Sequence, residues 1–279
     1  MRLLSFTKRG WYLMLMRSFL YVPGDNQKFL DKVESSNADA IILDLEDSVK
    51  FDSKEIAENT LREFLKSTSL NNLILRVEPS RIVNVLDLIN HPKISKIYLP
   101  KADSKQAVDA LNEQNSAKKP IHAIIESSIG LEKLSEIACM ENVQSLGIGE
   151  ADFLAEISLS DVVHESLKSY ARSRIVIASA AYKLQPPVAP VSSNFKDLRK
   201  FESETKEFLE MGYWGRACIH PAQVDIANSI FTPDEKLKSK AEIIINALEK
   251  SSGGAAVDDE GKMVDAAHLR WAQRYRDLF

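Results

Sequence analysis

The chain has 279 residues, of which 44% are hydrophobic and 27% are charged, the proportions of an ordinary globular protein. Its formal net charge of −4 argues against nucleic acid as a main partner, because binding to phosphate groups needs a basic surface. The two cysteines, Cys139 and Cys218, lie far apart and belong to no metal-binding motif, which excludes a disulfide framework or a zinc knuckle and favours a reducing cytoplasm.

The first 16 residues combine three basic side chains with a short apolar run that ends at Met16. This run is shorter than the core of a secretory signal, and no small-residue cleavage site follows it. It continues directly into RSFLYVP, the first predicted strand. We therefore interpret residues 1–16 as an N-terminal extension, with Met16 as a candidate natural start. No stretch of the chain reaches the roughly 18 apolar residues of a membrane span, so no membrane partner is expected.

Short apolar runs alternate with longer segments of helical spacing between residues 17 and 232. The runs show no polar alternation, as expected of parallel strands that are buried on both faces. The predicted strands cover residues 19–22, 40–43, 73–77, 97–99, 121–125, 143–148 and 217–219, together with 185–191, which contains three prolines. The predicted helices cover residues 26–36, a segment with Ile56, Leu61, Phe64 and Leu65 on one face, 161–184 and 195–211.

Eight β-then-α units in about 220 residues predict a (β/α)₈ (TIM) barrel over residues 17–232, with a doubly wound open sheet as the alternative. The GxG of residues 147–149 is not a dinucleotide fingerprint, because the third glycine is missing. Residues 233–251 are predicted to form a further helix. A flexible link rich in glycine, serine and aspartate then leads to a final amphipathic helix over 263–279. Residues 233–279 are therefore predicted to form a lid or an arm.

Charged residues stand at the carboxyl ends of the predicted strands, and in a parallel barrel these ends share one rim. Several buried carboxylates close together need a cation, and oxygen ligands favour Mg²⁺ or Mn²⁺ over zinc. Arg76 suits a carboxylate or an enolate oxygen. For Lys101 and His220 the sequence leaves two alternatives open, a structural role or a place in the site. The strand-end groups are residues 23–25, 44–47, Arg76, Lys101, Glu126, 149–152 and His220.

Eight segments in this order resemble the citrate lyase β-subunit-like branch of the HpcH/HpaI aldolase superfamily, which includes malyl-CoA and citramalyl-CoA lyases. They are RSFLYVPGDNQKFLDKV, ADAIILDLEDSV, ILRVEP, IYLPKADS, IHAIIES, LGIGEADFLAEI, ARSRIVIA and GRACIHPAQV. The final GKMVDAAHLRWA resembles the C-terminal arm of the family. The resemblance implies a (β/α)₈ barrel, bound Mg²⁺ and a homo-oligomer, either a trimer or a hexamer.

Carried over by position, the resemblance makes Glu126 and Asp152 the two metal ligands. It makes Arg76 the residue that binds the oxo group and stabilises the enolate. Asp265 of GKMVD resembles the acid–base aspartate that the family places over a neighbouring subunit's site, although this residue also fits a helix cap.

The remaining positions concern substrate binding. The resemblance implies that Glu46 and Asp47 accept hydrogen bonds from water around the metal. It also implies that Asp47 is a catalytic residue and that Arg17 lies near the CoA phosphates. The backbone of Gly149, Glu150, Ala151 and Asp152 corresponds to the segment that contacts the substrate carboxylate. Glu78 departs from the family, which usually has asparagine there, and its charge leaves the identity of the substrate open.

The function implied is a Mg²⁺-dependent carbon–carbon lyase that cleaves or forms a 3-hydroxyacyl-CoA such as malyl-, citramalyl- or citryl-CoA. Its products are acetyl-CoA or another acyl-CoA and a 2-oxo acid. One alternative is condensation or cleavage with thioester hydrolysis, as in malate synthase or a malyl-CoA thioesterase. Another is a citrate lyase subunit that acts on an acyl-carrier protein, although such a subunit needs no arm like GKMVD. A non-catalytic barrel is a further alternative, which the retention of Arg76, Glu126 and Asp152 disfavours.

Overall fold

The computed structural model describes residues 16–159, 165–251 and 255–276 of the chain. Most of the predicted N-terminal extension therefore lies outside the described residues. Among the residues that are described, no helix has both the length and the apolar character that crossing a bilayer demands.

Seven strands of the described chain form one parallel sheet, in the order β6-β5-β4-β3-β2-β1-β7. Their runs of Ile, Leu and Val are almost entirely buried, as expected for a sheet covered on both faces. The predicted α/β class with a parallel sheet is confirmed. The strands are β1 (Ser18–Pro23), β2 (Ala40–Asp44), β3 (Leu73–Arg76), β4 (Ile94–Leu99), β5 (Ile121–Ile125), β6 (Val143–Ile148) and β7 (Arg216–Cys218).

The sheet is curled, because one small core cluster contains side chains from strands far apart in the sheet order. Phe19 of β1, Ile74 of β3 and Ile124 of β5 all belong to this cluster, together with Val188. A larger cluster fills the space between the other face of the strands and the helices. The site described below lies at the carboxyl ends of the curled strands.

The proline-rich segment of residues 185–191 makes single bridges rather than a regular strand. Val188 pairs with Gly147 of β6 and Ala189 pairs with Arg216 of β7, so this segment contacts both edge strands of the sheet. Pro186, Pro187 and Pro190 have no N–H to donate, which explains why no continuous ladder forms.

Helices lie between successive strands of the first compact unit, which runs to Ile230. The helix predicted over 26–36 is broken into α1 and a 3₁₀ turn, Val33–Ser35. The one predicted over 161–184 is described from Glu165 to Ala181. The helices are α1 (Gln27–Leu30), α2 (Lys54–Ser67), α3 (Leu86–Ile89), α4 (Lys105–Gln114), α5 (Ser128–Glu132), α6 (Leu134–Ala138), α7 (Glu150–Ile157), α8 (Glu165–Ala181), α9 (Leu198–Met211) and α10 (Pro221–Phe231), with further 3₁₀ turns at Phe51–Ser53 and Pro79–Val85.

The second compact unit includes Phe231–Phe279. Its core is formed by α11 (Glu235–Lys250) and α12 (Ala266–Arg276), whose apolar faces meet through Ile244, Leu248 and Ala272. The link between them was predicted to be flexible, but its described part contains a small antiparallel hairpin of β8 (Ala256–Val257) and β9 (Met263–Val264). The turn of this hairpin is held by Asp258, whose carboxylate accepts the Glu260 and Lys262 amides.

Candidate active site

The ends of β2 and β3 bring together the first pair of site residues, Asp44 and Arg76. The two residues are register partners in the parallel sheet. Nε and Nη2 of Arg76 donate to the two carboxylate oxygens of Asp44, at 2.6 and 2.7 Å. Burial opposes the charge on Asp44, yet the hydrogen bonds and charge of Arg76 hold the pKa of this carboxyl below its ordinary value. Asp44 therefore fixes the plane of the guanidinium group.

Glu46 continues this network from the loop after β2. Its side chain is 1% exposed; Oε2 lies 2.8 Å from Nη1 of Arg76 and Oε1 lies 2.8 Å from Nζ of Lys101. Burial opposes ionisation, but the positive charge of Arg76 and the hydrogen bond from Lys101 lower the pKa of Glu46. Glu46 is thus an ionised carboxylate between two cations.

Asp47 follows Glu46 in the loop, and the pKa of its carboxyl is shifted in the opposite direction. Burial, the hydrogen bond with Glu46 and the negative charge of Glu46 raise the pKa of Asp47 to about 6. Nη1 of Arg76 lies 4.0 Å from Oδ2 of Asp47. A carboxyl with a pKa near neutrality at a strand end is suited to proton exchange.

Glu126, at the end of β5, is buried and accepts a 2.9 Å hydrogen bond from the backbone N–H of Lys101. Its side chain lies against Gly149, where an added Cβ would meet the Glu126 carboxylate at 2.5 Å. Only glycine leaves room for this approach. The pKa of Glu126 is raised to about 7, mainly by burial and also by the charges of Glu46 and Asp152, against the opposing hydrogen bond from Lys101 and the charge of Arg76.

Lys101 joins the two halves of this network, since its N–H contacts Glu126 and its ammonium contacts Glu46. Its backbone has φ of +51°, in the left-handed region that side chains other than glycine rarely adopt. Backbone strain of this kind costs on the order of 1–3 kcal/mol and is concentrated at functional sites. The structure thus favours a place in the site for Lys101, which the sequence left open.

The donors near Glu126 fit a hard divalent cation. Asp152 lies exposed in the first turn of α7, and its charge acts on Glu126. A cation between these carboxylates would offset their mutual repulsion, which adds to the effect of burial on the pKa of Glu126. Within the described ranges, no three His, Cys, Asp or Glu side chains are grouped as a complete metal site. Two carboxylates alone suit Mg²⁺, which usually keeps several waters or substrate oxygens.

The start of α7 supplies backbone N–H groups rather than the Glu150 side chain. Gly149 precedes the helix without a side-chain cap, and the amides of residues 150–152 belong to the first turn, where N–H groups have no acceptor within the helix. The carboxylate of Glu150 is held by Nε and Nη2 of Arg172, so it is turned away from a substrate role. The prediction for Glu150 and Ala151 concerned only their backbone, and it stays a prediction.

Three further residues that the sequence singled out have contacts of their own. Arg17 precedes β1, at the opposite end of a six-residue strand, and forms an ion pair with Asp39 at 2.8 Å. Asp265 belongs to the second unit, where its carboxylate accepts the N–H of Ala267 at 2.9 Å and lies 2.8 Å from Nδ1 of His268. His220 stacks on Phe195 at a centroid distance of 5.2 Å. The proposed functions of Arg17 and Asp265 stay predictions.

Two positions that the sequence had not assigned take part in the site. Asp44 stood among the strand-end residues, but its pairing with Arg76 emerges only from the register of β2 against β3. The ring of Tyr21, on β1, lies 4.8 Å from the Arg76 guanidinium in a cation–π contact. An apolar strand that ends in a single aspartate is the one sequence feature that pointed to Asp44.

A curled parallel sheet with ionised side chains at its carboxyl-end rim is the arrangement of α/β enzymes, which generally bind their substrates at this rim. The model of the HpcH/HpaI aldolase/citrate lyase family matches residues 17–221. The L-malyl-CoA/β-methylmalyl-CoA lyase of Cereibacter sphaeroides is 30% identical over 92% of each chain. The (3S)-malyl-CoA thioesterase of the same species is 29% identical, again over 92% of each chain.

Solved structures show the same fold. CitE from Mycobacterium tuberculosis, in complex with magnesium, acetoacetate and coenzyme A, has a TM-score of 0.76 and 24% identity, and the match covers 95% of this chain and 98% of that one. RipC from Yersinia pestis has a TM-score of 0.67 and 28% identity over 79% of this chain and 97% of its own. The chain belongs to the HpcH/HpaI aldolase/citrate lyase family, which confirms the resemblance drawn from its motifs.

Proposed function

We propose that this protein is a Mg²⁺-dependent carbon–carbon lyase acting on a 3-hydroxyacyl-CoA, in the direction of cleavage or of formation. The observation that carries the proposal is the continuous set of contacts from Arg76 through Glu46 and Lys101 to Glu126. These contacts connect Arg76, the proposed enolate-stabilising cation, to Glu126, the proposed metal ligand, in a chain that belongs to this family. The malyl-CoA lyase relatives support a CoA thioester as the substrate and a 2-oxo acid as a product.

Glu126 and Asp152 would hold the metal ion, with Mn²⁺ as an alternative to Mg²⁺. When bound, the ion would polarise the oxygens of the hydroxy or oxo acid. The N–H groups at the start of α7 would bind the acid's carboxylate, as helix N-termini bind anions. Glu46 and Asp47 would orient water molecules near the ion through their carboxylates.

In cleavage, the 3-hydroxyl group loses its proton to a base and the bond between C2 and C3 breaks. The oxygen becomes the carbonyl of the 2-oxo acid, and the electron pair passes to the thioester enolate. Arg76 would stabilise the charge on oxygen as it moves, with its guanidinium oriented by Asp44. The enolate then takes a proton at carbon to give the acyl-CoA. Asp265 is proposed as the acid for that step, reversing its role in condensation.

The assembly remains part of the proposal. We propose that the bridges of Val188 and Ala189 to both edge strands complete a (β/α)₈ barrel over residues 17–232. Residues 233–279 would act as an arm of a homotrimer or homohexamer in the cytoplasm. Arg17 would then approach CoA phosphates only if another chain brought them to the amino end of β1.

The decisive assay presents malyl-, methylmalyl-, citramalyl- and citryl-CoA to the purified protein with Mg²⁺. Release of a 2-oxo acid with one equivalent of acyl-CoA is the expected result, and it should stop when the metal is chelated. Failure to cleave any of these compounds, and to condense acyl-CoA with a 2-oxo acid, would contradict the proposal.

Thioester hydrolysis is the second candidate, because a malyl-CoA thioesterase matches this chain almost as well as the lyase does. The same assay separates the two functions. A lyase yields acyl-CoA and leaves the thiol masked, whereas hydrolysis yields free CoA that reacts with a thiol reagent. A citrate lyase subunit would instead act on a carrier-bound thioester and leave all four CoA compounds intact.

A further inference from the structure

Lys54, the first residue of α2, lies beneath the loop that carries Glu46 and Asp47. It is 7% exposed, and its ammonium donates to the backbone carbonyls of Leu45 and Glu46 at 2.8 and 2.9 Å. Its Nζ also lies 3.5 Å from Oε1 of Glu78. The ammonium thus makes two hydrogen bonds to backbone carbonyls and one longer ion pair with a carboxylate.

These acceptors belong to two different loops of the site. Leu45 and Glu46 follow β2, the strand that ends at Asp44, while Glu78 follows β3, the strand that ends at Arg76. The Lys54 ammonium therefore ties the loop that holds Glu46 to the loop that follows Arg76. The ion pair between Glu46 and Arg76, at 2.8 Å, joins the loop after β2 to the last residue of β3.

Glu78 is the position at which the chain departs from the asparagine expected by resemblance. A free carboxylate there would compete with an anionic substrate for Arg76 and would repel that substrate. Instead, the charge of Glu78 faces Lys54, whose buried ammonium needs a counter-ion. The additional negative charge is thus balanced by the ammonium at the start of α2.

We propose that Lys54 is a positioning residue that sets the Glu46 carboxylate against Arg76, and that Glu78 serves as its counter-ion rather than as a substrate contact. The inference rests on the proposed lyase function for its kinetic consequence. Its structural consequence, an ordered segment over residues 44–49, stands without that function. In this segment the Leu45 N–H donates to the Arg76 carbonyl, and the Glu46 N–H donates to Asp44.

Lys54→Met tests the role of the ammonium, and Lys93→Met is its matched control. Lys93 also donates to two backbone carbonyls, those of Leu65 and Thr68, but it precedes β4 at the end of the sheet opposite the site. Lys54→Met should lower kcat on the order of 10- to 100-fold, as a displaced catalytic group does, with KM within about twofold. Lys93→Met should leave kcat within about twofold.

Two readouts separate positioning from a merely structural effect. The losses in kcat for Lys54→Met and Arg76→Lys should be less than multiplicative in the double variant, because both act through one network. Deuterium uptake over residues 44–49 should increase in Lys54→Met but not in Lys93→Met, while uptake over α4 stays unchanged in both. Unchanged uptake over 44–49, or multiplicative losses, would overturn the proposal.

Glu78→Gln tests whether Glu78 is the counter-ion of Lys54. This variant also replaces Lys54→Met as the test if Lys54→Met fails to fold. The amide keeps a hydrogen-bond acceptor for Lys54 but removes the charge. It should lower kcat by the same factor for every acyl-CoA that the wild type cleaves. A changed ratio of kcat/KM between two acyl-CoA substrates would show that Glu78 contacts substrate, and would overturn its role as a counter-ion. If the wild type cleaves none of the compounds, the lyase function fails while deuterium uptake still decides the role of Lys54.

Discussion

Arg76 and Asp44 are register partners on neighbouring parallel strands, and their side chains meet in a two-point ion pair with N–O distances of 2.6 and 2.7 Å. Together with the contact to Glu46, this pairing engages three of the five N–H donors of the guanidinium. The plane of Arg76 is therefore set before a substrate arrives, with donors remaining for it.

Arg76→Lys should lower kcat on the order of 10²-fold, since lysine keeps the charge but cannot contact Asp44, Glu46 and a substrate oxygen with one planar fork. Steady-state kinetics on the best acyl-CoA would measure this. Arg62→Lys is the control, because Arg62 makes the same two-point contact with Asp87 on the surface. A rise in KM without a loss in kcat would make Arg76 a simple binding residue.

Glu126→Gln and Asp152→Asn should each abolish measurable Mg²⁺ binding and the Mg²⁺-dependent activity, because each variant loses an anionic oxygen ligand. Calorimetric titration with MgCl₂ would measure binding, and circular dichroism would verify the fold. Glu113→Gln, on α4, is the matched control and should bind as the wild type does. Retention of wild-type affinity in either site variant would refute the metal assignment.

The pKa of Asp47 should fall from about 6 toward its ordinary value of 3.8 in Glu46→Gln. After burial, the hydrogen bond and negative charge of Glu46 are the causes that raise it, so their removal favours the ionised form of Asp47. Carboxyl ¹³C shifts followed from pH 3 to 8 in chelator would measure the change. An Asp47 pKa that stays near 6 in the variant would leave burial as the whole cause.

Lys96→Met should raise the melting temperature by a few degrees at pH 7, because burial lowers the pKa of Lys96 to about 8 from 10.5. The folded state binds fewer protons between these values. The charge on buried Lys96 therefore lowers the free energy of unfolding by its full amount below pH 8. This loss disappears as the pH approaches 10.5.

Scanning calorimetry at pH 7 and pH 10.5 would check this difference, with the exposed Lys118→Met as the control. The gain for Lys96→Met should shrink at the higher pH, whereas the control should change little at either. An equal gain at both values would show that Lys96 is not charged at a cost in the folded protein.

Mixing Arg76→Ala with Asp265→Asn tests whether Asp265 completes a neighbouring subunit's site. Each variant alone should be nearly inactive, and exchanged oligomers should regain activity through sites built from two intact halves. Arg76→Ala mixed with Glu126→Gln is the control and should regain none, because both changes damage the same half. If subunits exchange and no activity returns, Asp265 acts only within its own chain or caps α12, as its contact with the Ala267 N–H indicates.

The sequence by itself determined the parallel strands, the family and the strand ends at which charged residues collect. Buried parallel strands are continuous apolar runs, and the residue that follows such a run must stand at the rim, so Arg76, Glu126 and residues 44–47 were found from local pattern alone. The hairpin at 256–264 was missed, because its two-residue strands are too short to show a period.

Only the tertiary structure decided which of these side chains meet. The pairing of Asp44 with Arg76 depends on the register between strands 32 residues apart, and the turning of Glu150 toward Arg172 depends on how α8 packs. Nothing in the sequence singles out Lys54, yet it is buried, and its ammonium contacts the loops after β2 and β3. Contacts of this kind arise from side-chain direction and chain closure, for which local spacing carries no information.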